Sequence, residues 1–310
     1  MYKGELISLS VAFSWTVCAM FAEVASKRFG ALVLNVLKMA LSLLFFAILL
    51  LVTVGKVYPV GASPDAWLWL SLSGFVGYVL GDYCLFTCYI HIGARYGQLL
   101  MTLAPLAASV TGWILLGEKM LGISILAMFL TIGGICLSLY RKPSSNDKGA
   151  SLSLKGVLLG AGAGICQGIG LVMSAKGIDL YEKSALSSGL VDNIGIIPFA
   201  STMIRAITGF IGFTIWTLVR GQGKNLAKSI TDRRGMAFAT AVTVFGPFVG
   251  VSLSLMATLY TNAGIAQTIM ALTPILIIIP TYFIFHQKIR FREIIGAIIA
   301  VSGVSLFFIN

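Results

Sequence analysis

A sequence motif that occurs twice, 169 residues apart, most constrains what this chain can fold into. Residues 98–105 read Gln-Leu-Leu-Met-Thr-Leu-Ala-Pro, and residues 267–274 read Gln-Thr-Ile-Met-Ala-Leu-Thr-Pro. The same offset relates other residues of the two halves, namely Gly77 to Gly246, Gly81 to Gly250, Lys119 to Lys288 and Gly134 to Gly303. Because chance explains a match of this extent poorly, we interpret the chain as an internal duplication of one structural unit.

The composition indicates that this duplicated unit lies in a membrane. Of the 310 residues, 58% are hydrophobic and 11% are charged, and the mean hydropathy is +0.95. Soluble domains carry about 25% charged residues. The formal net charge of +11 would suggest nucleic acid as a partner of a soluble protein. Here the basic residues fall in short loops, where membrane orientation accounts for them, so we exclude nucleic acid and expect a lipid bilayer as the surroundings.

Hydrophobic segments of about 20 residues predict ten transmembrane helices, and hence an all-α membrane protein. The predicted spans are Leu6–Ser26, Ala31–Val54, Trp67–Tyr89, Gln98–Leu116, Leu121–Tyr140, Leu154–Ala175, Ile196–Val219, Met236–Leu259, Gly264–Phe285 and Ile294–Phe308.

A hydrophilic stretch at 141–148 divides these spans five and five. We therefore expect a first repeat at 1–142, a linker at 143–153 and a second repeat at 154–310. Because each repeat holds an odd number of helices, the second repeat must start from the opposite side of the membrane. The two five-helix repeats are thus predicted to form an inverted pair.

The halves differ in length at one place. Lys27 and Lys38 are 11 residues apart, whereas their counterparts in the second half, Lys176 and Arg205, are 29 apart. The second half therefore carries an insertion near 177–195, which we expect to form a loop or a short interfacial helix at one mouth of the protein. The alternative is a solvated linker that takes no part in binding.

Loop charges predict the orientation of the chain in the membrane. The loops that follow the odd-numbered spans carry most of the basic residues, namely Lys27, Arg28, Arg95, Arg141, Lys142, Lys148, Lys155, Arg220, Lys224, Lys228, Arg233, Arg234, Lys288, Arg290 and Arg292. By the positive-inside rule these loops face the cytoplasm. Both termini and the insertion are then expected to face away from it.

Two cations lie inside predicted spans and are the first candidates for a binding site. An ionised side chain at the centre of a membrane helix costs about 2.5–3.5 kcal/mol on insertion scales. Lys38 and Arg205 occupy equivalent places in the two halves, since each precedes a Gly-Lys pair by nearly the same distance. We predict that both face a central cavity and bind a carboxylate or phosphate group. The alternatives are snorkelling of Lys38 to the nearer surface and a structural pairing of Arg205 with carbonyl or carboxylate groups.

Other polar and aromatic residues within the spans complete the candidate substrate-binding set. They are Trp15, Asp82, Tyr83, Gln98, Gln167 and Gln267. Asp82 is a candidate proton-titrating group or counter-ion for Lys38, or else a tie between helices. Gln98 and Gln267 begin their predicted spans, so a role at the helix start is the alternative for them. Trp15, which is in register with Gln167, is a candidate for lining an apolar cavity or for packing.

Proline and glycine positions suggest how the helices move and pack. Pro105 and Pro274 occupy equivalent places, and each removes a backbone donor and tends to bend its helix. They are therefore candidates for a gate, with a static bend as the alternative. A stripe of glycines at four-residue spacing, Gly156, Gly160, Gly164 and Gly168, is interpreted as a helix-packing surface.

Motifs of known enzyme chemistry are missing from the sequence. It contains no His-Glu-x-x-His, no Gly-x-Ser-x-Gly and no glycine loop of the Walker type. The five cysteines all fall in apolar stretches, without the spacing of a zinc site or a disulfide framework. We therefore expect no enzyme activity, no cofactor and no metal.

The residues resemble a known family. Ten helices in two repeats, a cation early in the second helix of each half, and a fourth helix running from Gln98 to Leu116-Gly117-Glu118-Lys119 are similar to the EamA domains of the drug/metabolite transporter superfamily. The resemblance covers essentially the whole chain. The second half departs from it, with His286-Gln287 where the first half has Gly117-Glu118.

The resemblance implies a multi-pass secondary transporter with a central cavity between its halves, of the kind that usually exports small metabolites across a bacterial inner membrane. We therefore predict efflux, by alternating access, of an amino acid-like or other carboxylated or zwitterionic solute, with protons as a candidate coupling ion. The alternative is a non-transporting membrane sensor or assembly scaffold. The oligomeric state is left open.

Overall fold

All the regular structure among the described residues is helical. The computed structural model describes residues 2–117, 122–140, 152–188, 194–257, 260, 266, 269–285 and 290–306. The first half contains α1 (Lys3–Phe29), α2 (Ala31–Val54), α3 (Pro64–Gly74), α4 (Tyr83–Ile92), α5 (Ala94–Leu100), α6 (Leu103–Leu116) and α7 (Gly122–Leu139). The second half contains α8 (Leu154–Ser188), α9 (Ile197–Val219), α10 (Gly223–Thr231), α11 (Arg233–Thr243), α12 (Ser252–Ala257), α13 (Thr273–Leu276), α14 (Ile278–Phe285) and α15 (Phe291–Leu306).

Seven helical stretches within these ranges are long and apolar enough to cross a membrane. They are Lys3–Phe29, Ala31–Val54, Pro64–Ile92, Ala94–Leu115, Leu154–Ser187, Ile197–Val219 and Arg233–Ser254, and shorter apolar helices cover Ile125–Leu139 and Thr273–Phe285. Large apolar side chains point outward, such as Phe129 at 71% exposure and Phe283 at 68%. Such a surface suits lipid and not water. The chain is therefore built as a multi-pass membrane protein, while the count of ten spans stays a prediction.

Two π-helices occupy equivalent positions in the two halves. One runs Phe75–Asp82 between α3 and α4, and the other runs Val244–Val251 between α11 and α12, again 169 residues later. A π-helix has one more residue in each hydrogen-bonded turn than an α-helix, so it rotates the side chains that follow. Both lie within spans that the sequence predicts, at Trp67–Tyr89 and Met236–Leu259, and their π-helical geometry is visible only in the structure.

The helix that carries the repeated motif is broken just before its proline. α5 and α6 are separated by a turn at 101–102, in which the amide of Ala104 donates to the carbonyl of Met101 at 2.9 Å. A turn at 271–272 likewise precedes α13. Pro105 is the third residue of α6 and Pro274 the second of α13, positions where a missing N–H leaves no intrahelical bond unmade. The prolines therefore begin a second helical segment, which corrects the expectation of a bend within a continuous helix.

The last helices of the two halves, α7 and α15, pack through reciprocal contacts. A Cβ added to Gly134 would lie 2.7 Å from the carbonyl oxygen of Gly296, and one added to Gly303 would lie 3.0 Å from that of Ala127. The repeat offset of 169 converts the first contact into the second. Since the later residue of α7 faces the earlier residue of α15, the two helices run antiparallel. Their close approach depends on small residues, as is common between membrane helices.

The insertion of the second half extends α8. Instead of a loop or a short interfacial helix, residues 177–188 continue that helix, whose 35 residues span about 52 Å at 1.5 Å per residue. This exceeds the ~30 Å thickness of a hydrocarbon core. The extension contacts the segment after α2, because the Tyr181 hydroxyl donates to the carbonyl of Val60 at 2.7 Å and the Ser184 hydroxyl to that of Gly61 at 2.7 Å.

The glycine stripe of α8 packs against α4, α5 and α6. A Cβ added to Gly156 would lie 2.6 Å from the side chain of Ile92, and one added to Gly164 would lie 2.7 Å from the carbonyl oxygen of Leu100. No larger side chain fits at these crossings. The packing interpretation of the stripe is confirmed.

Candidate functional site

A cavity of about 230 Å³ lies where helices of both halves meet. The first half contributes lining residues from α1, α2, α4, α5 and α6 and the first π-helix. The second half contributes lining residues from α8, α9, α12, α13 and the second π-helix. Eight residues that the sequence analysis selected line this cavity: Trp15, Lys38, Asp82, Gln98, Pro105, Gln167, Arg205 and Pro274.

Tyr83, another selected residue, is not among the described residues that line it. The ring of Tyr83 packs against Trp216, with 4.3 Å between the ring centroids, and is absent from the cavity wall. We therefore leave Tyr83 out of the candidate site. Gln267 lies outside the residues that the structure describes.

Lys38 and Asp82 form a buried ion pair in the cavity wall. The Lys38 Nζ atom lies 2.5 Å from Asp82 Oδ2 and 4.6 Å from the centroid of the Phe86 ring. Lys38 is 2% exposed, so its side chain does not snorkel to a surface in this structure. The Gln167 amide donates to Asp82 Oδ1 at 2.8 Å and to the carbonyl of Gly77 at 3.0 Å. Each oxygen of the Asp82 carboxylate therefore accepts a hydrogen bond, one from Lys38 and the other from Gln167.

Arg205 is the other buried cation of the cavity. Its guanidinium carbon lies 4.7 Å from the centroid of the Tyr78 ring, a distance typical of a cation–π contact. Within the described ranges no carboxylate pairs with Arg205, and its Nε atom lacks a hydrogen-bond partner. The buried hydroxyl of Tyr78 also lacks one. Because buried donors are normally satisfied, this pair of groups is suited to bind an acceptor that enters the cavity.

The repeated motif itself contributes more of the wall than the sequence analysis recognised. Its two methionines, Met101 and Met270, both line the cavity. Gln98 lies within α5 and not at its start, and its amide donates to the hydroxyl of Tyr89 at 2.7 Å. The two methionines could have been predicted to line the cavity, because they recur in the repeated motif. No sequence pattern marked Tyr78 or Tyr89 as lining residues.

Buried polar groups also lie at one end of the helices. The Glu23 carboxylate, 1% exposed, accepts from the Ala94 amide at 2.6 Å and pairs with Lys27 at 2.5 Å. Arg95 lies 3.1 Å from the Glu293 carboxylate, which also accepts from the Tyr96 hydroxyl at 2.6 Å. The Arg95–Glu293 pair joins the first half to the second.

A second ion pair between the halves is exposed. Arg28 contacts Asp232, which also caps α11 by accepting from the Gly235 amide at 3.2 Å. The hydrogen bond from Arg28 and the one from Gly235 hold the pKa of the Asp232 carboxyl below its usual value. This pair and the buried one lie at the same end of the helix bundle, where α1 ends and α11 and α15 begin.

These observations define a multi-pass helical membrane protein with a partly polar cavity between two related halves. The profile of the EamA-like transporter family matches residues 2–140 and 154–309. The chain therefore belongs to the EamA-like transporter family, as the resemblance predicted. Among curated proteins no sequence matches it.

One solved crystal structure has a fold similar to that of this chain. It is 13% identical in sequence to this chain, with a TM-score of 0.60, and the alignment covers 99% of this chain and 96% of the other. At this level of identity the likeness concerns the fold alone.

Proposed function

We propose that this protein is a secondary transporter that exports a small solute across a bacterial inner membrane by alternating access. The observation that carries the proposal is the cavity between the halves, whose wall contains membrane-buried cations and both copies of the repeated motif. Transporters built from repeats hold their substrates at the interface between those repeats. The family resemblance favours export as the direction.

We further propose ten spans in two inverted repeats. The antiparallel contact between α7 and α15 supports this arrangement, because equivalent helices of an inverted pair cross the membrane in opposite directions. The ion pairs Arg28–Asp232 and Arg95–Glu293 lie among loops that are all assigned to the cytoplasmic side. In this proposal they hold the cytoplasmic side closed.

The candidate site residues receive separate roles. Arg205 binds the acidic group of the solute, because no carboxylate of the described residues neutralises it. Lys38 is paired with Asp82, so it orients that carboxylate and does not act as a second anion receptor. Gln167 holds the other oxygen of Asp82. Protonation of Asp82 would release Lys38, which is how protons would couple to transport.

The broken helices are the proposed moving parts. If α6 and α13 rotate about the turns that precede them, Pro105 and Pro274 maintain the break, because proline supplies no amide to extend the preceding helix.

Replacing either proline with alanine is then expected to slow transport several-fold while solute affinity stays within about twofold. Transport rate and equilibrium binding, measured on the same purified variants, check this expectation. Pro64→Ala, at the first position of α3 and away from the cavity, is the control, and unchanged rates in both motif variants would leave the prolines as packing elements.

The competing proposal is a sensor or scaffold that does not transport. A scaffold has little need of buried charges around a cavity, which is the observation against it.

Purified protein in proteoliposomes should move at least one solute from a panel of metabolites, and a proton gradient should change the rate if protons are coupled. Binding without movement of any solute, in either orientation of the gradient, would favour the sensor.

A further inference from the structure

The two π-helices present different chemistry to the cavity. The repeat offset pairs Tyr78 with Pro247 and Asp82 with Val251, and all four line the cavity. A hydroxyl and a carboxylate in the first half thus correspond to two apolar side chains in the second. The backbones are equivalent while the side chains are not.

The first helix of each half shows the same contrast. Lys3-Gly4 aligns with Lys155-Gly156, and this register pairs Trp15 with Gln167. A Cβ added to Gly81 would lie 3.3 Å from the Gln167 amide nitrogen, and one added to Gly250 would lie 2.6 Å from the Trp15 indole nitrogen. Equivalent side chains therefore pack on equivalent glycines, a polar amide on one wall and an aromatic ring on the other.

The charges of the cavity do not cancel. Among the described residues that line it, Lys38 and Arg205 are basic and Asp82 is acidic, which leaves one positive charge in excess. The charge of Asp82 is already paired with Lys38, so an ammonium group that enters the cavity meets no unpaired carboxylate among the described lining residues. The segment 261–268, which precedes Met270 in the sequence, contains no charged residue. A solute with one negative charge would balance this site, and a zwitterion would bring an unmatched cation into a poorly solvated cavity.

The cavity is large enough for a small solute. Its volume of about 230 Å³ has room for a carboxylic acid with one ring or one branched alkyl group.

We propose that the cavity selects an amphipathic monocarboxylate over the corresponding amino acid. The carboxylate binds at Arg205 and the Tyr78 hydroxyl, and the ring or alkyl group lies against Trp15, Pro247 and Val251. This inference rests on the proposed transport function and narrows its substrate class from carboxylated or zwitterionic solutes to monoanions.

Three probes that share a phenylethyl group test the charge requirement. They are 3-phenylpropanoate, an anion, phenylalanine, a zwitterion, and phenethylamine, a cation. Titration calorimetry on the purified wild-type protein should show the anion binding about ten- to a hundredfold more tightly than the zwitterion, because charge-assisted hydrogen bonds to Arg205 form without an unmatched ammonium. The cation should not bind. Propanoate, which lacks the ring, should bind more weakly than phenylpropanoate.

Three variants test the assignment of the walls. Val251→Asp places a carboxylate at the position equivalent to Asp82, removes the excess positive charge and should shift the preference toward phenylalanine. Arg205→Lys keeps the charge but loses the planar donor pair, so it should weaken phenylpropanoate binding about tenfold or more. Trp15→Ala should reduce the advantage of phenylpropanoate over propanoate.

Equal or tighter binding of phenylalanine by the wild-type protein would overturn the inference, as would failure of all the probes to bind. In either case, transport of another solute in proteoliposomes would leave the proposed function standing. Failure of transport with intact selective binding of the monoanion would instead count against the transporter and not against the site.

Discussion

Replacing Lys38 with methionine is expected to lower the free energy of unfolding by about 3–5 kcal/mol, because the Asp82 carboxylate would stay buried without its cation. The two groups are 2.5 Å apart, and Lys38 is 2% exposed. Unfolding of the purified protein in detergent, followed by far-ultraviolet circular dichroism, measures the change.

Lys183 provides a matched control for this prediction. It forms an ion pair with Asp179 at 2.8 Å, but its side chain is 71% exposed. Lys183→Met should therefore change stability by no more than about 0.5 kcal/mol. Combining Lys38→Met with Asp82→Leu should restore much of the lost stability, since no unpaired charge remains buried. Similar small losses in the Lys38 and Lys183 variants would contradict the buried pairing.

Replacing Glu293 with glutamine is expected both to destabilise the protein by about 3–5 kcal/mol and to favour opening of the end that carries Arg95. The change keeps the shape of the side chain but leaves the Arg95 cation buried without its counter-ion, which lies 3.1 Å away in the native pair. Spin labels at His91 and Phe291, in a background free of native cysteines, should report a longer mean distance by double electron–electron resonance.

Arg28 provides the corresponding exposed control, because its pair with Asp232 also joins the halves. Its side chain is 45% exposed, so Arg28→Gln should have little effect at neutral pH. The lowered pKa of Asp232 has a defined consequence: the stabilisation from this pair is present above the unfolded pKa and is lost as the pH falls through the folded pKa. A Glu293→Gln variant with wild-type stability and an unchanged distance distribution would show that Arg95 and Glu293 do not hold this end closed.

The sequence was sufficient to identify the duplication, the membrane setting and eight of the residues that line the cavity. Hydrophobicity predicts the membrane location directly, because a helix that crosses a bilayer needs a long apolar stretch. The repeated motif shows which positions of the two halves are structurally equivalent. Its first copy contributes Gln98, Met101 and Pro105 to the cavity wall. The cost of burying a charge explains why Lys38 and Arg205 were recognised.

Tertiary structure decided how these residues act. Lys38 and Asp82 are 44 positions apart, and only the packing of α2 against the first π-helix shows that they neutralise each other while Arg205 keeps its charge unpaired among the described residues. Neighbouring positions on a helix point in different directions, and a π-helix changes that direction again, so sequence alone did not show that Asp82 faces the cavity while Tyr83 packs on Trp216. The composition of a span determines that it crosses lipid, whereas rotation about its axis depends on the helices packed against it.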